Sequence, residues 1–104
     1  MSVEDWRSEI NAIDDELLRL LNIRARLAIK VGQSKKVAGF SILDPVRERE
    51  VIDRACRGNQ GPLDEGAIIE LFSCIIHESR RVETQAIEIA RICGATNNRT
   101  RCMT

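Results

Sequence analysis

The stretch VEDWRSEINAIDDELLRLLNIRARLAIKVGQSKKV, residues 3–37, decides the fold. Its apolar residues Ile10, Ile13, Leu17, Leu20, Leu21, Leu27, Ala28 and Val31 recur at steps of three and four, the period of one helix face. Good helix formers fill the positions between them, and no proline interrupts. Gly32 is the one weak position, costing about 1 kcal/mol relative to alanine. A helix of this length spans roughly 50 Å. A compact domain of about 100 residues has a radius of gyration near 13 Å and cannot wrap it. Two copies laid together can, each covering the other's stripe, so the pattern points to a helical homodimer. The alternative is a helix kinked at Gly32 and folded back within a monomer.

Outward from this stretch, Gly39 supplies a helix stop. Asp44-Pro45 announces a second helix, with Asp44 suited to the N-cap and proline to the first helical position, where its missing N–H has no partner to lose. That helix is expected to run to about Arg57. Gly58-Asn59-Gln60-Gly61-Pro62 reads as a turn. A third helix is expected from Leu63 or Asp64 to Ile92, with the stripe Ile68, Leu71, Phe72, Ile75, Ile76, Val82, Ala86 and Ile89. From Cys93 onwards the sequence is polar and aperiodic, and fraying is expected. The fold class is therefore all-α, three helices per chain in an intertwined dimer, with one domain over residues 1–94 and a flexible tail over 95–104.

Composition excludes several classes of function. With 104 residues the chain is one domain, and its formal charge is zero, so no net field draws it to nucleic acid or an anionic membrane. Trp6, Phe40 and Phe72 are the only aromatics, too few for a base-stacking platform. The acidic start Met1–Asp5 is not a signal peptide, and no run reaches the roughly 18 apolar residues of a membrane span. Cys56, Cys74, Cys93 and Cys102 show no CxxC spacing and His77 is the only histidine, which argues against a metal site. A cytoplasmic location with reduced thiols is expected, Cys74 and Cys93 serving as small core residues.

The informative residues are charges placed on apolar faces. Arg24 continues the face of Leu17 and Leu21, Lys35 lies one turn beyond Val31, and Arg7 lies one turn before Ile10. A buried cation needs an anionic partner or must snorkel to water, so these residues either pair with acids, reach the surface or bind a ligand. Arg24 and Lys35 stand about 16 Å apart along the axis, close enough for long side chains to lean towards one small ligand. Arg7 and Arg24 stand about 25 Å apart, so Arg7 serves such a ligand only from the other subunit of an antiparallel pair. On the third helix Ser79 and Glu83 interrupt the stripe, and a carboxyl held against an apolar face tends to a raised pKa. Pairing of Glu83 with Arg80 is the plainer possibility. Asp44, Arg47 and Glu48 crowd the first turn of the second helix, where an acid is also favoured by the helix dipole. With no nucleophile–base pair, metal cluster or phosphate loop, any chemistry must need few proton transfers and no covalent intermediate.

These residues fall into a pattern that resembles the all-helical class of chorismate mutases. The first piece, R-x-x-I-x-x-I-D-x-x-L-L, starts at Arg7, continues through Ile10, Ile13, Asp14, Leu17 and Leu18, and leads on to Arg24. Then follow V-G-x-x-K at Val31, Gly32 and Lys35, and D-P-x-R-E at Asp44, Pro45, Arg47 and Glu48. The last pieces are G-P-L at Gly61 to Leu63, L-F-x-x-I-I at Leu71 to Ile76, and Ser79 with Glu83. Each piece alone is weak; their order and spacing are specific. The resemblance implies an intertwined dimer that converts chorismate to prephenate without a cofactor. It implies that Arg24, Arg47 and Arg7 of the other subunit bind the substrate's two carboxylates. It further implies that Lys35 holds a carboxylate and donates to the ether oxygen, that Glu48 and the backbone at Asp44 hold the ring hydroxyl, and that Ser79 assists with a carboxylate. Glu83 takes the place of a glutamine that donates to the ether oxygen in many members, and glutamate also occurs there. Two rivals share the scaffold: an isochorismate pyruvate-lyase, and a non-catalytic dimerisation or regulatory module.

Overall fold

A computed structural model describes residues 1–96. Three helices follow in order: α1, Val3–Val37; α2, Pro45–Gly58; and α3, Glu65–Thr96. Among the described residues there is no strand. Local chemistry sets the helix ends. At the start of α1, Ser2 and Asp5 form a reciprocal capping box. At its end Gly39 adopts a φ of 84°, a left-handed conformation that only glycine enters without strain, and the Phe40 N–H donates back to the Lys35 carbonyl at 2.7 Å. Asp44 caps α2 by accepting from the Arg47 N–H at 3.1 Å, and Asp64 caps α3 by accepting from the Ala67 N–H at 2.8 Å.

Helix α1 runs unbroken through Gly32, so the kinked monomer is not formed. Helix α3 extends to Thr96, past the end expected at Ile92. Gly94 carries only the modest helix penalty of a glycine, which does not stop a long helix already under way. The remainder of the expected tail, residues 97–104, lies outside the described residues.

Helix α3 packs on both α1 and α2, while α1 and α2 do not pack on each other. The result is a slab of 58 × 33 × 15 Å with a radius of gyration of 17.8 Å, well above the roughly 13 Å of a compact chain this size. Its apolar core is thin: Ile68, Ile76 and Cys93 are its buried members. Two cysteine expectations change. Cys93 is buried but is not a free thiol, and Cys74 is exposed in the single chain because the stripe that carries it faces outwards there. Every residue from Met1 to Asn22 is exposed, including Ile13 at 59% and Leu17 at 50%. No helix among the described residues is long and apolar enough to cross a membrane.

Candidate active site

The polar residues picked out on the apolar faces converge on one cleft of about 250 Å³ between the second half of α1, the start of α2 and the middle of α3. Arg24 and Lys35 line it from α1, Asp44, Arg47 and Glu48 from the start of α2, and Ser79 and Glu83 from α3. Leu27, Ala28, Val31, Ile42, Val51 and Ile76 make its apolar walls. Arg7 is absent from this lining; it projects from the bare end of α1, 3.3 Å from Glu4 in an exposed pair.

Each polar group is fixed by its neighbours. The Arg24 guanidinium donates from Nη1 to Ser79 Oγ at 2.6 Å, and that hydroxyl donates in turn to the Ile75 carbonyl at 2.9 Å. With its one proton committed, Ser79 orients Arg24 through a lone pair and neutralises none of its charge. Arg24 has no acid within ion-pair distance among the described residues. Lys35 Nζ lies 3.0 Å from Asp44 Oδ2, while Asp44 Oδ1 caps α2, so one carboxylate ties the lysine to the helix start. The capping hydrogen bond from the Arg47 N–H, then the bond from Lys35, hold the Asp44 carboxyl below its ordinary value.

Glu83 behaves oppositely. Burial pushes its carboxyl above the ordinary value; Lys35, Arg24 and Arg80 pull it down without prevailing, and Glu48 adds to the rise. The rise expected for a carboxyl held against an apolar helix face is thus the direction found.

Two residues of the site were not singled out for it in the sequence. Arg80 lines the cleft, and its Nε lies 2.9 Å from Glu48 Oε2; the N–H is buried and points out of line for a hydrogen bond, so the contact is an ion pair. Arg80 therefore engages Glu48 and not Glu83. Its signal in the sequence was only the spacing of one residue after Ser79. Gly32, read as a weak point of α1, is the buried residue of that helix and lies directly against Glu83.

The charges of the lining are unequal. Arg24, Lys35, Arg47 and Arg80 face Asp44, Glu48 and Glu83. Four cations therefore stand against three carboxyl groups, one of which burial makes harder to ionise. Arg47 faces Glu50 at 3.6 Å in an exposed pair that contributes little. Among the described residues no group of three or more His, Cys, Asp or Glu is placed to hold a metal ion. Fold and cleft together define an all-helical protein whose cleft sets fixed cations beside one acid that burial makes harder to ionise.

The chain belongs to the chorismate mutase type II family, which matches residues 6–84. It is 32% identical over 85 residues to the chorismate mutase of Methanocaldococcus jannaschii, covering 79% of this chain and 84% of that protein. It is 38% identical over 78 residues to the bifunctional chorismate mutase/prephenate dehydratase of Aquifex aeolicus, covering 71% of this chain and 22% of that protein. The chain thus spans about a fifth of the length of such bifunctional relatives. A solved chorismate mutase structure from Thermus thermophilus (form II) superposes with a TM-score of 0.77 at 32% identity, covering 79% of this chain and 93% of that one.

Proposed function

We propose that this chain is a chorismate mutase: it converts chorismate to prephenate in phenylalanine and tyrosine biosynthesis, as a cytoplasmic homodimer with shared sites. The observation that carries the reading is the cationic surplus centred on Arg24, set beside a carboxyl whose pKa burial raises. Chorismate is a dicarboxylate with an ether link between its two reacting arms. In the [3,3] rearrangement the ether C–O bond breaks, a new C–C bond forms, and no proton or electron leaves the molecule. No nucleophile or base is therefore required, and positioning and electrostatics must supply the acceleration.

Arg24 and Arg47 hold the carboxylates in the compact conformer that brings the bond-forming carbons together. Lys35, kept in place by Asp44, and protonated Glu83 then face the ether oxygen as negative charge develops on it. Glu48 accepts from the ring hydroxyl. Where a second copy covers the exposed walls Leu27 and Val31 and excludes water, each of these interactions is strengthened.

The second copy enters for two reasons. The bare face of α1 exposes Ile10, Ile13, Leu17, Leu18 and Leu21 together, a patch of the kind that marks an interface. Arg7 on that same segment is too far along α1 for its own cleft, which leaves the cleft of a partner subunit as the one it serves.

The test is an ultraviolet assay of chorismate loss with identification of the product. Prephenate at turnover of ordinary enzymatic size supports the reading. Release of pyruvate from isochorismate with inert chorismate replaces it by the lyase, and inertness to both leaves a binding module.

A further inference from the structure

Gly32 is buried in the next-to-last turn of a 35-residue helix, inside which glycine is the poorest choice after proline. It lies one turn before Lys35, on the edge of the cleft. A Cβ built at this position would lie 2.9 Å from Glu83 Oε2, 3.1 Å from its Cγ and 3.2 Å from its Cβ. Turning the carboxyl group relieves the first approach and leaves the other two. The stem of the glutamate is thus seated directly on the α1 backbone, and any side chain at position 32 forces it to move.

We propose that Gly32 is a positioning residue, whose missing side chain leaves a notch in α1 that seats the stem of Glu83 and sets where its carboxyl enters the cleft. The catalytic consequence rests on the reading of Glu83 as the donor to the ether oxygen; the packing consequence does not. The charged groups facing Glu83 are Lys35 and Arg24 from α1, Arg80 from its own helix and Glu48 from α2. A glutamate pushed out of the notch gains water, so its pKa falls towards the ordinary carboxyl range. The alkaline limb of activity then moves to lower pH, and kcat falls more than KM rises, because the group acts in the transition state.

The experiment is a double-mutant cycle on the full chain: parent, Gly32→Ala, Glu83→Ala and the double variant, each followed by thermal melting. Replacing an uncrowded helix glycine by alanine raises Tm by several degrees. In the Glu83→Ala background, where only the Cβ contact at 3.2 Å remains, the change in Tm is expected to be several degrees more favourable than in the parent, where the gain is absent or reversed. The same Tm change in both backgrounds overturns the notch. If Gly32→Ala alone fails to fold and the double variant folds, the notch is supported; if neither folds, something other than Glu83 crowds the site and the proposal fails. Where Gly32→Ala folds, its kcat/KM profile is compared with that of Glu83→Gln. An alkaline limb that stays in place in Gly32→Ala, with kcat within about twofold of the parent, overturns the positioning role. If Glu83→Gln leaves the parent's alkaline limb intact, the donor reading falls, while the melting cycle still decides the notch.

Discussion

The two halves of α1 carry the same apolar period and meet different fates. From Ile23 onwards the helix makes contacts within its own chain, although Leu27 and Val31 stay exposed: Arg24 reaches Ser79, Gly32 lies on Glu83, and Lys35 is tied to Asp44. From Val3 to Asn22 every residue is exposed, although Leu17, Leu20 and Leu21 repeat the same stripe. An amphipathic pattern specifies that a face must be covered, not which chain covers it. The site follows this division, since the covered half supplies its floor and the bare half holds Arg7, the one expected site residue outside the cleft.

The comparison is broken most severely by a charge on the bare half. Leu17→Glu on a truly exposed face changes stability by about 0.5 kcal/mol or less. In a subunit interface it buries an unpaired carboxylate at a cost of several kcal/mol, a large share of a domain's stability of roughly 5–15 kcal/mol. We expect loss of the dimer in sedimentation and of helical circular dichroism at micromolar concentration. A monomer that keeps the parental melting curve contradicts the assignment of that face.

The next largest effects separate the halves by activity. Lys35→Ala in the covered half is expected to lower turnover about 10²–10³-fold with Tm nearly unchanged. Arg7→Ala in the bare half is expected to lower kcat/KM as well, although its only partner among the described residues is the exposed Glu4. Mixing these two variants at equal amounts restores one intact site per heterodimer, about a quarter of parental activity after random exchange. No recovery after verified exchange removes Arg7 from the site.

Smaller effects come from the two acids whose pKa values move in opposite directions. The raised Glu83 carboxyl contributes stability below the ordinary glutamate range, and that contribution is lost as pH rises through its folded value. Activity is expected to fall on the same alkaline limb, and Glu83→Gln, a donor at every pH, is expected to flatten it while retaining substantial turnover. Identical limbs in the two profiles sink the donor role. The lowered Asp44 carboxyl contributes stability above the ordinary aspartate range, lost as pH falls through its folded value. Asp44→Asn keeps a capping oxygen and loses the charge beside Lys35. It is expected to melt slightly earlier at neutral pH and to match the parent in strong acid. A constant Tm difference down to that acid range shows that the charge is not what matters.

The helices were legible because periodicity, caps and stops are local properties. Asp44-Pro45 and Gly39 each fix a boundary by their own conformational preference. Seven of the cleft residues were legible for related reasons: Arg24, Lys35, Ser79 and Glu83 are polar groups that stand out on apolar faces, and Asp44, Arg47 and Glu48 crowd one helix start. Arg80 did not stand out, because a basic residue beside a stripe looks like ordinary surface until Glu48 arrives from another helix. Gly32 was visible as a penalty and as one letter of a motif but without a physical reason, since that reason is an atom 51 positions further along the chain. The end of α3 was misplaced because a single glycine weighs more in a local reading than in a 32-residue helix.

Asp44 divides its two oxygens between tasks, one closing the first turn of α2 and the other gripping Lys35. The connection from α1 to α2 is therefore a ring, closed by covalent chain on one side and by an ion pair on the other. Its tip at Gly39 and Phe40 points into open space, with nothing within 4 Å of a Cβ built at Gly39 and Phe40 69% exposed. For a flexible loop, doubling the length adds only about 0.6 kcal/mol of closure entropy. The tip is thus a place where the chain tolerates added length, because the clasp and not the loop sets the distance from the lysine to the second helix.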